Sequence, residues 1–77
     1  MRKCSKLGEV KKGSSVIVDS IEGDELRSKL LEFGLTKGSK LNVLYTAPLG
    51  DPIAVDIEGF VLSLRKSEAN LIQVLSN

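Results

Sequence analysis

Hydrophobic residues recur with helical spacing in one stretch of the chain, residues 24–38. Leu26, Leu30 and Phe33 follow one another at i, i+4 and i+7, which places them on one stripe of a helix that Leu31 widens. This stretch therefore predicts one substantial helix.

Turn-forming residues bound this predicted helix on both sides. Asp24 is predicted to cap its start by accepting hydrogen bonds from free backbone N–H groups. Gly34 is predicted to end it, because glycine adopts the left-handed conformation of the C′ position at little cost, and Leu35 can then fold back onto the last turn. Gly38 marks a second turn. Both glycines are assigned to turn geometry, since a phosphate-binding loop precedes a helix and this pair follows one.

Elsewhere the hydrophobic positions alternate with the two-residue period of β-strands. Leu41, Val43 and Tyr45 are predicted to point to one face of a strand and Leu44 to the other. A tight turn is predicted at Gly59, between two strands of a hairpin. The strand patterns cover residues 14–21, 39–46, 53–57, 60–65 and 71–75.

These elements predict a mainly β fold, a small SH3-like β-barrel of about five strands with one α-helix inserted between strands 1 and 2. Closing the sheet on itself removes exposed edges and creates a single interior. A chain of 77 residues supports one core, so residues 1–77 are predicted to be one domain, with residues 1–6 as a flexible arm. The residues predicted to fill the interior are Val16, Val18, Val43, Ile53, Val55, Leu62, Leu64 and Val74.

Two prolines and a glycine interrupt the strand pattern at residues 47–52. Pro48 and Pro52 lack N–H donors and cannot continue a central ladder, so this segment, with Gly50, is predicted to be a stiff and exposed loop. Leu49 at its tip has two alternatives. It either stands exposed or folds down over the mouth of the barrel.

The amino-acid composition excludes several classes of function. The chain has no histidine and one cysteine, Cys4, which excludes an intramolecular disulfide and ordinary zinc or haem ligation within one chain. Asp24, Glu25, Asp51 and Glu58 are assigned capping or solvated roles, and no catalytic constellation is visible. We therefore predict a protein that is not an enzyme, with no catalytic, cofactor-binding or metal residues.

Nucleic acid and membrane insertion are also not expected. The net charge of +1 gives no overall attraction to phosphate, and Phe33 and Phe60 are expected on apolar stripes rather than as stacking platforms. The apolar runs are far shorter than the roughly 20 residues that span a bilayer. The basic N-terminus is interpreted as a solvated surface, with contact to lipid headgroups or an acidic partner as the alternative. A cytoplasmic location is predicted.

Surface apolar residues remain as a candidate interaction site. Leu49, at the tip of the proline-bounded loop, is predicted to contact a partner together with neighbouring apolar side chains. The predicted contact residues are Leu31, Leu35, Leu44, Pro48 and Leu49.

Three strings of sequence, in this order and spacing, resemble the FeoA family over about residues 7–74. They are L-R-S-K-L-L-E-F-G-L-T-K-G-S-K-L, A-P-L-G-D-P-I and I-E-G-F-V-L-S-L-R-K-S-E-A. The family is the small cytoplasmic component of bacterial ferrous iron uptake. The resemblance implies an SH3-like barrel with a helical insertion, and a partner, the membrane transporter FeoB, whose cytoplasmic part carries a GTP-binding domain. The same domain type is fused to that transporter and to metal-dependent repressors.

Three hypotheses for function follow. The first is an accessory protein that docks on the cytoplasmic part of FeoB, at the inner face of the membrane, and modulates its transport or GTPase cycle. The second is a regulatory module of a metal-dependent transcriptional repressor. The third is direct binding of a transition metal, which requires Asp51, Asp56 or Glu58 to converge, for example across a dimer. Self-association is left open.

Overall fold

The computed structural model describes residues 4–76 and contains one sheet, two α-helices and a 3₁₀ turn at Leu7–Glu9. The helices are α1, Asp24–Glu32, and a single-turn α2, Lys66–Ala69. The strands are β1 (Cys4–Lys6), β2 (Ser15–Ile21), β3 (Lys40–Thr46), β4 (Ile53–Ile57), β5 (Phe60–Leu64) and β6 (Ile72–Ser76).

The sheet has the strand order β1-β6-β2-β3-β4-β5, and every neighbouring pair is antiparallel. The prediction of a mainly β fold is confirmed, and the last strand pairs back with an early one, as Ile72 opposite Ile21 shows. The predicted closure of the barrel is wrong. Within residues 4–76, β1 and β5 do not pair with each other, so the sheet has two edges.

The strand count and the place of the helix also differ from the prediction. Cys4–Lys6, predicted to belong to a flexible arm, form β1 and pair with β6, Cys4 opposite Leu75. Residues 1–3 of that arm lie outside the described part of the chain. Residues 4–76 therefore form six strands, and α1 lies between the second and third of them. Three residues with two polar side chains are too few to show a strand period.

The core combines strand residues with leucines from the connections. All of the predicted interior residues are buried except Leu62, which is partly buried and packs against the core. Four leucines from α1, the turn after it and the 3₁₀ turn belong to the same buried cluster. They are Leu7, Leu26, Leu30 and Leu35.

The start of α1 differs from the prediction and its end agrees. Gly23 is the N-cap residue, and Asp24 is already helical and pairs with Arg27 one turn later. Its carboxylate complements the positive end of the helix dipole without acting as the cap. At the other end, Gly34 N–H donates to the Leu31 carbonyl at 2.9 Å, and Leu35 N–H donates to the Leu30 carbonyl at 3.0 Å. This pair of hydrogen bonds is a Schellman motif.

A bulge in β3 reverses part of its predicted alternation. The register against β4 shifts between Val43 and Tyr45, so Leu41 and Val43 are buried as predicted, whereas Tyr45 is exposed. An extra residue in a strand turns every following side chain to the opposite face.

The predicted turn glycines all have positive φ angles, namely Gly34, Gly38, Gly50 and Gly59. Glu58 and Gly59 both have positive φ, 48° and 92°, as a two-residue type I′ hairpin requires. Gly59 N–H also donates to Asp56 Oδ1 at 2.9 Å, which fixes the turn.

Candidate partner-binding surface

The Leu49 loop, residues 47–52, holds its tip away from the protein. Ala47 N–H donates to the Pro52 carbonyl at 3.0 Å, and Gly50 N–H donates to the Ala47 carbonyl at 2.7 Å. These bonds close the loop at its base and form a turn at its tip. Leu49 is 95% exposed, so of the two alternatives for this side chain the exposed one is correct.

One side-chain contact fixes the loop to α2. Asp51 Oδ1 accepts a hydrogen bond from the backbone N–H of Lys66 at 3.1 Å. That N–H belongs to the first residue of the helix, where backbone donors lack intrahelical acceptors. Asp51 thus has the capping role that the sequence assigned to it, and it acts on a helix distant in the chain. Leu49 is consequently presented from a fixed base.

The predicted contact residues divide into accessible and inaccessible ones. Leu31 is 60% exposed and Leu44 is 37% exposed, and Pro48 lies on the surface beside Leu49. Leu35 is 0% exposed, so its assignment as a contact residue is wrong. The Schellman motif directs Leu35 beneath the end of α1, where a partner cannot touch it.

The helix α2 also contacts α1. Lys29 Nζ lies 3.0 Å from Glu68 Oε2, and Glu68 Oε1 accepts the Arg65 backbone N–H at 3.0 Å. The hydrogen bond from Arg65 and, after it, the bond from the Lys29 ammonium lower the pKa of Glu68. The helix α2 therefore contacts the Leu49 loop at its start and α1 through Glu68.

An open groove of about 490 Å³ lies where α1 meets the α2 region. Its floor includes the apolar side chains of Leu26 and Leu71, and Lys29 and Glu68 pair along it. The two charged partners satisfy each other, so the groove offers no free charge from this pair to a ligand.

The exposure of Phe33 and Phe60 is a feature that the sequence did not predict. Phe33, at the end of α1, stacks on Phe60 of β5, with ring centroids 5.7 Å apart and an interplanar angle of 23°. The two rings are 40% and 46% exposed, so the expectation that apolar stripes bury them is wrong. Phe60 is the first residue after the tight turn. A residue at the end of a strand has few neighbours to cover its side chain, and this position is the sequence signal for the exposure of Phe60.

The two apolar surface regions lie at opposite ends of β4. The Leu49 loop precedes Ile53, the first residue of β4, and the turn beside Phe60 follows Ile57, its last. The loop and the Phe33–Phe60 pair are thus separate candidate contact regions.

The acidic residues of the third hypothesis do not converge. Asp51 lies before β4 and bonds to α2, whereas Asp56 lies near the end of β4 and bonds to the adjacent turn. Residues 4–76 contain no group of three or more histidine, cysteine or acidic side chains placed to hold a metal ion. None of the helices in this part of the chain is long and apolar enough to cross a membrane.

Comparison with known sequences gives a consistent result. A family model described as the FeoA domain matches residues 5–75. A curated relative, the Fe(2+) transport protein A/Fe(2+) transporter FeoB fusion protein of Porphyromonas gingivalis, is 33% identical over 70 residues. That match covers 90% of this chain and 8% of the fusion protein, so the chain spans only a small part of that relative's length.

Solved structures show the same similarity. FeoA of Chlorobium tepidum is 42% identical, with a TM-score of 0.87 over 94% of this chain and 70% of that one. FeoA of Stenotrophomonas maltophilia, described as complexed with zinc and as a procaryotic SH3 domain protein, is 28% identical with a TM-score of 0.77. It covers 91% of this chain and 88% of its own. The SH3-like class predicted from the sequence agrees with this neighbour.

A manganese-dependent transcriptional repressor shares the fold. Its TM-score is 0.88 over 100% of this chain and 44% of the repressor, at 22% identity. At that identity the likeness concerns the fold alone.

Proposed function

Because the chain belongs to the FeoA family, which is associated with ferrous iron transport, we propose that it is a non-enzymatic accessory protein that docks on the cytoplasmic part of FeoB. The fusion of a related domain to FeoB in one curated relative supports this partner, since fused domains work side by side. The proposal puts the protein in the cytoplasm, at the inner face of the membrane through its partner.

The exposure of Leu49 is the observation that carries the proposed contact site. A leucine that is 95% exposed contributes nothing to the core, and its loop is closed by hydrogen bonds and tied to α2 through Asp51. Little conformational freedom is then lost when a partner binds, which favours affinity. Leu44 and Pro48 lie on the same strand-loop segment and extend the contact. The assignment of Leu31, two residues before Phe33 on α1, stays a prediction.

Docking of this kind changes the transporter only through a difference in affinity between two of its states. A ligand shifts a conformational equilibrium by the ratio of its affinities for the two conformations. We therefore propose that the Leu49 loop binds the cytoplasmic domain of FeoB more tightly in one state of the GTPase cycle than in the other.

Titration of the purified cytoplasmic domain of FeoB with this protein tests the proposal, once with bound GDP and once with a non-hydrolysable GTP analogue. We expect binding in both states with unequal affinity. Leu49→Asp should weaken binding at least about tenfold, because a buried interface leucine would be replaced by an unpaired charge.

Leu71→Asp is the matched control. It makes the same Leu→Asp change on another exposed side chain, which lies just after α2 and outside the Leu49 loop. It should leave the affinity within about twofold of wild type, a shift of less than ~0.5 kcal/mol. Equal weakening by both variants would remove the loop from the contact site.

The other two hypotheses have separate tests. A repressor module has only the shared fold in its favour, and it predicts co-purification with a DNA-binding protein instead of a membrane protein. Direct metal binding predicts a measurable heat of binding in calorimetry with ferrous ion at micromolar concentration. Within residues 4–76, a single chain contains no converging set of acidic side chains that would hold the ion.

A further inference from the structure

The strand β5 forms one edge of the sheet and lacks the usual protection of an edge. Its residues, Phe60–Leu64, include no charge and no proline. Within residues 4–76, β5 pairs only with β4. Within residues 4–76 the opposite edge, β1, comprises Cys4–Lys6 and carries a lysine, which discourages further pairing. The two edges of the sheet are therefore not equivalent.

The hairpin register determines which backbone groups of β5 are free. The two-residue turn makes Ile57 and Phe60 a hydrogen-bonded pair, and such pairs alternate along an antiparallel ladder. Phe60, Leu62 and Leu64 therefore direct their N–H and C=O groups towards β4. Val61 and Ser63 direct theirs away from the sheet, and both residues are exposed.

We propose that β5 pairs with β5 of a second copy of this chain, antiparallel about a two-fold axis at Leu62. In this register Val61 lies opposite Ser63 of the second copy. The outward N–H and C=O groups of both residues then bond across the axis, four hydrogen bonds in all by the antiparallel rule. The two sheets become one continuous sheet, and the partly exposed Leu62 packs against its own symmetry mate.

The charges next to β5 favour this orientation and this occupant. Glu58 precedes the strand, and Arg65 and Lys66 follow it. Antiparallel pairing therefore brings the acidic end of one β5 towards the basic end of the other, at both ends of the shared ladder. Parallel pairing would instead set the two acidic ends side by side. An isologous interface must be self-complementary, and this edge has that property in both hydrogen bonds and charge.

Sedimentation equilibrium of the full chain tests the proposal through three variants. We expect the wild type to dimerise with a dissociation constant below about 1 mM, weak as a small interface should be. Ser63→Pro removes an outward N–H and hence two of the four bonds, and should weaken the dimer at least about tenfold. Because this N–H does not bond to β4, the hairpin ladder is retained. Ser63→Ala keeps the N–H and is the matched control.

A charge exchange provides a test that does not depend on proline. Glu58→Lys should weaken the dimer by roughly fivefold, since the acidic end of each strand becomes basic and repels Arg65 and Lys66 of the second copy. Adding Lys66→Glu should restore the affinity to within about twofold of wild type. Far-UV circular dichroism verifies that each variant is folded. A wild type that stays monomeric at 1 mM, or a double variant no tighter than Glu58→Lys, would overturn the proposal.

Discussion

Replacing Gly34 by alanine tests how α1 is ended. Gly34 has a φ of 84°, in the left-handed region, where an L-residue costs ~1–2 kcal/mol. A Cβ at this position would meet nothing within 4 Å among the described residues, so the cost is conformational and involves no clash. Alanine also restricts the unfolded chain, which offsets ~0.4–1 kcal/mol. We expect a net loss of roughly 1 kcal/mol of unfolding free energy.

Equilibrium unfolding in urea measures this loss, and the slope of the transition should not change, because the surface exposed on unfolding is the same. A domain of this size should lose about 4–8 °C in melting temperature per kcal/mol. D-Alanine, introduced by chemical synthesis, is the matched control. It has the same side chain but prefers positive φ, so it should be neutral or stabilising by up to ~1 kcal/mol.

If the L-alanine and D-alanine variants have the same stability, the explanation of Gly34 by its φ angle is wrong. Equal destabilisation by L- and D-alanine would mean that the sign of φ does not determine the cost, contrary to the explanation from the positive φ of Gly34. The Schellman hydrogen bonds from Gly34 and Leu35 would then not be the reason for glycine at this position.

Three further predictions concern stability. Leu35→Ala should lower the unfolding free energy measured in urea by ~2–5 kcal/mol, because Leu35 is buried. Leu31→Ala, on the exposed side of α1, should change it by no more than ~0.5 kcal/mol. Equal costs of the two substitutions would contradict the burial of Leu35. Gly8→Ala would bring its Cβ to 2.3 Å from Asn70 Oδ1, so it should lower the unfolding free energy by ~1–3 kcal/mol. Combined with Asn70→Ala, the same substitution should cost much less. Additive costs in this double-mutant cycle would exclude the contact. Because its folded-state pKa is lowered, Glu68 contributes stability that is present above its unfolded pKa of about 4.5 and is lost as pH falls through the folded pKa. Glu68→Gln should reduce that loss in acid unfolding curves, and an unchanged acid limb would contradict the pKa direction.

The helix and most strands could be predicted because their residues follow one period. Leu26 and Leu30 have helical spacing and are buried, and Val16 and Val18 of β2 alternate as core residues should. The end of α1 at Gly34 could also be predicted, because the preference for glycine at the left-handed C′ position depends only on the local backbone conformation.

The predictions that were wrong concern features that depend on contacts between residues distant in the chain. The bulge after Val43 depends on pairing with β4, and it turned Tyr45 outward against the alternation. Cys4–Lys6 form a strand because β6 offers them an edge, which no local pattern reveals. The open sheet likewise depends on how six strands curve in space.

The candidate site was predictable only in part. The prolines identified the Leu49 loop as exposed, and Leu49 is exposed. Leu35 was assigned to the surface although the Schellman motif that the same residues predict buries it. The stack of Phe33 on Phe60 joins α1 to β5 across the fold, and periodicity within one element cannot show such a contact.

The most direct test of the proposed contact site is an NMR titration of the isotopically labelled chain with the unlabelled cytoplasmic domain of FeoB. We predict that amide shifts and line broadening centre on the Leu49 loop and extend to Leu44, with Gly34 and the buried strands unaffected. Perturbations confined to the Phe33–Phe60 region, with the Leu49 loop unchanged at saturation, would contradict the proposed docking surface.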